Sequence, residues 1–202
     1  MLTLRRTLAW FIDFALVGVA AALLAILTFH RIGALVTDVP SLAAKGGLDL
    51  LTSRGDVIGA SEHLGRSLWD EIVLDVEEAF GALVVLTFLY QWACLTLLGR
   101  TLGKGVLGLQ VTPRLSRPAL RRAAVTAAAD VAVYALACVL LIEGQFALSV
   151  LVWAVAVVLF LANALTVFFP GRRSLADRLA GTCVVGVFQR AEAGPTAGLP
   201  RG

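Results

Sequence analysis

Residues 119–142 and 146–169 are two apolar runs of membrane-spanning length, parted only by Glu143, Gly144 and Gln145. A helix needs about 20 residues to cross the hydrocarbon core of a bilayer. Two such runs joined by three residues predict a tight antiparallel helical hairpin. Two further runs of similar length lie near 7–29 and 79–98. Composition agrees, because 59% of the 202 residues are hydrophobic and only 15% are charged, against roughly 25% charged in soluble domains. The expectation is an all-α integral membrane protein with four transmembrane helices, forming one transmembrane domain over residues 1–190.

The run at 7–29 follows Arg5 and Arg6, as a secretory signal would. Its apolar stretch is longer than a signal core of about 7–15 residues, and Asp13 interrupts it. It reads as a retained membrane helix.

The connections differ in charge. Residues 30–78, the outer loop, hold nine Asp or Glu and four Lys or Arg. The end of that loop, SLWDEIVLDVEEAF, has a helical apolar period through Leu68, Ile72 and Val76, so the second helix is expected to begin well before residue 79. Residues 99–122 carry six basic residues and no acidic one, and the chain from 171 adds five arginines. With Arg5 and Arg6, these regions hold thirteen of the seventeen basic residues. Four crossings put all three on one face, which the positive-inside rule assigns to the cytoplasm. Both termini are then cytoplasmic, in the inner (plasma) membrane. The formal charge of +3 is explained by topology and points to the lipid bilayer rather than to nucleic acid. Residues 191–202, AEAGPTAGLPRG, read as a disordered tail.

Topology converts sequence position into depth. Asp13 lies seven residues past Arg6, and Asp130 eight past Arg122. At about 1.5 Å per residue both carboxylates sit roughly 10–12 Å beyond those arginines. Gln91 and Asn163, on helices running the other way, reach a similar depth. Four helices thus contribute one polar side chain each to a common layer. An ionised Asp at the bilayer centre costs about 2.5–3.5 kcal/mol on insertion scales, so each carboxylate calls for protonation or a cationic partner. Asp13 and Asp130 are candidates for an ion or proton site; Gln91 and Asn163 read as interhelical hydrogen-bonding groups. Arg6 shares a helix face with Asp13 but is too far along that helix to close the pair unaided. A basic residue from another helix could bridge the gap.

GRTLGKGVLGLQV, residues 99–111, lacks the glycine spacing and the Ser or Thr of a phosphate-binding loop. It reads as an interfacial segment, with Leu102, Val106, Leu107 and Leu109 toward lipid and Arg100 and Lys104 toward headgroups. In GRRSLADRLAGTCVV, residues 171–185, Ser174 can cap a short interfacial helix, with Asp177 near its start. No nucleophile–base set, metal-ligand spacing or cofactor motif is present, so the chain is not expected to be an enzyme or to hold a metal or cofactor.

Three segments in order, RRTLAWFID with Arg6, Ala9 and Asp13, GRTLGKGVLGLQV with Thr101, Gly103, Lys104, Gly108 and Leu109, and SLADRLAGTCVV with Asp177, Gly181 and Thr182, resemble the RDD family of small membrane proteins. The Arg and two Asp that name the family would map to Arg6, Asp13 and Asp177. The resemblance implies a charge network among them at the cytoplasmic face, and position alone also offers Asp177 a salt bridge to Arg6 or Arg122 there. The resemblance also implies a role in transport, since some members are linked to sodium–proton exchange. The expectation is a small cation or proton transporter, assembled as a homo-oligomer because four helices are few for a path. The alternative is a scaffold or accessory subunit whose acidic outer loop recruits a membrane-protein partner.

Overall fold

The computed structural model describes residues 2–37, 57–112, 116–168, 179–181 and 183–186. Helix α1, Leu2–Thr37, is 36 residues long, or about 54 Å. It is rich in Leu, Ala, Ile and Phe and contains no proline, so nothing interrupts its hydrogen-bond ladder. Helix α2, Val57–Ala93, continues into a π-helical turn, Cys94–Leu98, which ends at Gly99 in the left-handed conformation. Helix α3 is the short Leu102–Val106, followed by strand β1, Leu109–Thr112. Helix α4, Ser116–Ala127, passes through a second π-helical turn, Ala128–Ala132, into α5, Val133–Ile142. Pro118 lies in the first turn of α4, where a missing N–H costs no helical bond. Helix α6, Phe146–Phe168, and strand β2, Cys183–Gly186, complete the described chain.

Among the described residues, three helical segments are long and apolar enough to cross a membrane: Leu4–Thr37, Arg117–Ile142 and Phe146–Ala164. Residues 79–98, expected as a fourth span, are helical, formed by the last part of α2 together with its π-helical turn. Large apolar side chains such as Phe29, 75% exposed, and Val158 face outward. That exposure suits lipid, which has no water to order around them. The α5–α6 hairpin forms as its three-residue link requires. Gly144 takes φ 77°, which a β-carbon would resist, and the Gln145 N–H donates to Leu140 O at 2.8 Å. Ser149 Oγ then donates to Ala137 O at 2.7 Å across the hairpin.

The chain divides into two compact units. Within Ala20–Leu83, the helical start of α2 was legible in SLWDEIVLDVEEAF, but helix covers much more of the supposed outer loop. α1 runs on to Thr37 and α2 begins at Val57. There Arg31 on α1 bonds Glu78 at 3.0 Å and lies 3.7 Å from Asp75, both on α2. Within the other unit, β1 and β2 pair antiparallel, Leu109 opposite Gly186 and Thr112 opposite Cys183. This ribbon is an addition to the expected helical framework. It takes Leu109, 1% exposed, out of the lipid-facing role the sequence suggested. Of the expected interfacial helix starting at Ser174, Leu179 and Ala180 are described and helical, while its start and the expected disordered tail 191–202 lie outside the described residues.

Candidate functional site

Asp13 is buried, 7% exposed, and its carboxylate is the point on which three segments converge. Oδ1 accepts the Tyr90 hydroxyl from α2 at 2.8 Å and the Gly103 N–H from α3 at 2.9 Å. Oδ2 accepts the Thr101 hydroxyl at 2.5 Å. Lys104 Nζ stands 3.9 Å from Oδ2. Tyr90 in turn accepts the Leu102 N–H at 3.2 Å. One carboxylate on α1 therefore holds four consecutive residues, Thr101 to Lys104, directly or through Tyr90.

The local sequence explains why this segment fits. Gly103 is buried against α1, and a β-carbon there would collide with the Ala9 carbonyl oxygen and lie 3.0 Å from Asp13 Oδ1. Only glycine lets the loop backbone approach closely enough for its N–H to reach the carboxylate. Thr101 is fully buried, and its carbonyl accepts the Gly105 N–H at 2.8 Å, closing the first turn of α3. Lys104, expected among headgroups, is drawn inward instead, its side chain 17% exposed. A charge beside the Asp13 carboxylate offsets its desolvation far better than one in the headgroup layer. Arg100, by contrast, is exposed, as expected.

A carboxylate offers about four lone-pair positions. Tyr90, Thr101 and Gly103 fill three of them, and the Lys104 ammonium faces the fourth. Such a group is well suited to fixing a loop and less suited to receiving an ion, since three donors and an ammonium already surround its oxygens.

Asp130 is placed differently. It lies in the π-helical turn Ala128–Ala132, and its Oδ1 accepts a hydrogen bond from Asn163 Nδ2 of α6 at 3.0 Å. The extra residue in a π turn re-aims side chains, and such turns recur at functional sites. Asn163 is buried, as is Gln91. Of the four expected layer residues, the structure thus joins Asp130 to Asn163 directly, while Asp13 takes its partners from Tyr90 and the 101–104 segment. Beside them an aromatic group ties α1 to the hairpin: Phe160 of α6 has ring centroids 5.7 Å from Trp10, 6.1 Å from Phe14 and 6.3 Å from Tyr134.

Arg122 is buried on α4 and Arg6 half-buried on α1. Asp177 lies outside the described residues, so its expected place in a network with Arg6 falls there too. Sequence reasoning had no role for Tyr90 and assigned Lys104 to the interface. The signal that could have found Lys104 was its position between two glycines, in a segment that must approach another backbone.

The model of the RDD family matches residues 2–181. No curated protein and no solved structure matches the chain.

Proposed function

The chain belongs to the RDD family, and on that premise we propose that it is a small transporter of the plasma membrane, moving a cation or a proton. It crosses the bilayer four times with both termini in the cytoplasm, and copies associate to complete the path. The charge asymmetry of its connections supports the orientation. The observation that carries the transport reading is Asp130: a carboxylate on a membrane-spanning helix, at a π turn, bonded by the neutral amide of Asn163 on the next span. Intramembrane ionisable groups mark ion and proton paths far more often than their cost would permit by chance. Asn163 suits such a role, because an amide can donate to a carboxylate or accept from a carboxylic acid. Asp13 acts beside it by fixing the 99–112 connection at the inner mouth, with Arg6, Arg122 and Asp177 balancing charge at that face.

The test is flux in dye-loaded liposomes under an imposed proton gradient, with sodium, potassium or lithium added in turn. Wild-type protein should dissipate the gradient and Asp130→Asn should not, while both remain monodisperse. Flux that survives in Asp130→Asn would move the site elsewhere. A second reading, a scaffold or accessory subunit, is favoured by the saturated carboxylate of Asp13, whose partners give it a purely structural use. Absence of flux from well-folded protein, with a stoichiometric membrane partner on purification, would establish that reading instead.

A further inference from the structure

Helix α4 has two unlike faces. Ala119, Arg122, Ala123 and Ala127 are buried, and Ala119 packs with Leu95 of the first π-helical turn. The other face is exposed and carries Arg117, Leu120, Arg121 and Ala124, with Ala128 above them. This i, i+3, i+4, i+7 spacing makes one continuous strip. Arg117 and Arg121 are one turn apart at the start of the spanning segment Arg117–Ile142. Their guanidinium groups therefore stand at the polar end of a membrane helix. The exposed side chains beyond them, Ala124 and Ala128, are small and apolar, and Leu120 lies between the two arginines. No acidic residue lies anywhere in 99–122 to neutralise the pair.

We propose that this face of α4 binds an anionic phospholipid, with the headgroup phosphate between Arg117 and Arg121 and an acyl chain along Ala124 and Ala128. Charge complementarity selects the occupant. A guanidinium presents a planar fork of N–H donors that matches phosphate oxygens, and two of them favour a lipid with net negative charge over a zwitterionic one. The depth selects a lipid over a soluble phosphate ester, because apolar surface continues directly from the arginines into the span. The adjacent Arg122 differs from Arg121 only by a rotation of one residue, yet it is buried within the protein. The pair RR at 121–122 thus divides its work, one arginine inward and one toward lipid. The site stands independently of whether the chain transports.

The experiment uses full-length protein in phosphatidylcholine vesicles containing a trace of spin-labelled phosphatidylglycerol or spin-labelled phosphatidylcholine. The relative association of the two labels with the protein is read from the motionally restricted component. Two arginines at about 1 kcal/mol each give the anionic label a preference of about thirty-fold at this site. Arg117→Gln with Arg121→Gln should bring it close to unity, Arg117→Lys with Arg121→Lys should keep most of it, and Arg5→Gln should leave it unchanged. If the double Gln variant fails to fold, the single Arg121→Gln variant reads the same effect as a drop of about five-fold. A preference unaltered by loss of Arg117 and Arg121 overturns the proposal. So does equal loss on removing Arg5, which would reveal a diffuse basic field. Soluble glycerol phosphate at millimolar concentration should not displace the label, and displacement would reassign the pair to a free phosphate ester.

Discussion

Asp13 and Lys104 face each other at 3.9 Å, a distance too long for a hydrogen bond and short enough for a strong charge interaction. The shorter bonds to the same carboxylate come from neutral groups, Tyr90, Thr101 and Gly103. Shape is thus set by the neutral donors, and charge is balanced by the lysine.

The first prediction concerns that division. Asp13→Asn sets an amide N–H2 against converging donors and removes the carboxylate charge that the Lys104 ammonium faces. Breaking one side of a buried ion pair costs about 3–5 kcal/mol. Thermal unfolding in detergent should show a loss of that order, with faster proteolysis in the 99–112 segment. Wild-type stability in Asp13→Asn would mean that the clamp does not hold the loop.

Gly103→Ala and Gly105→Ala should separate cleanly although they lie two residues apart. The first drives a β-carbon into the Ala9 carbonyl oxygen, an overpacking that costs about 1–3 kcal/mol. At Gly105 the nearest atom is Arg100 Nε at 3.6 Å, ordinary contact, and alanine gains up to ~1 kcal/mol of helix propensity. Melting temperatures of the two variants should therefore move in opposite directions.

Tyr90→Phe removes one hydroxyl that serves both Asp13 and the Leu102 N–H. The expected loss is about 1–3 kcal/mol. Because both residues belong to one network, a cycle with Asp13→Asn should be non-additive by more than ~0.5 kcal/mol. Additive losses would show that Tyr90 is not coupled to the carboxylate.

Ser149→Ala tests the hairpin apart from the clamp. It deletes a single hydroxyl bond to Ala137 O, and bonds of this kind between membrane helices average about 0.6 kcal/mol. A small drop in stability with unchanged protease resistance at 99–112 is expected.

The ribbon supplies a covalent test, since Thr112 stands opposite Cys183. Cross-strand partners bring their α-carbons to about 4.5–5.5 Å, within the span of a disulfide. Thr112→Cys should cross-link to Cys183 under mild oxidant, seen as a linked peptide by mass spectrometry. Gln110→Cys, set opposite Val185, should not react with Cys183 under the same conditions.

Much of this architecture was legible in the sequence because bilayer thickness imposes a length that any spanning helix must meet. The hairpin at 143–145, the helical entry to α2 and the polar positions Asp13, Asp130, Gln91 and Asn163 all follow from length and period. Lys104 was not legible in the same way. Its partner is on α1, remote in sequence, and a lysine beside a membrane ordinarily does reach for headgroups. The ribbon was hidden because four-residue strands such as LQVT and CVVG carry too little alternation to stand out from apolar surroundings. The π turns were hidden because one extra residue shifts the helical phase without leaving a composition signal of its own.

The pairing of β1 with β2 also dictates an order of assembly. Strand β1 is synthesised before its partner, and the intervening stretch contains the whole α5–α6 hairpin. At translation rates of about 5–20 residues per second, roughly seventy residues take several seconds. During that interval the segment from 109 to 112 has no strand to pair with. The Asp13 clamp, whose parts all lie before residue 105, can close first and hold the segment in position. The ribbon then forms as a late stitch, available only to chains whose last two helices have been delivered into the membrane.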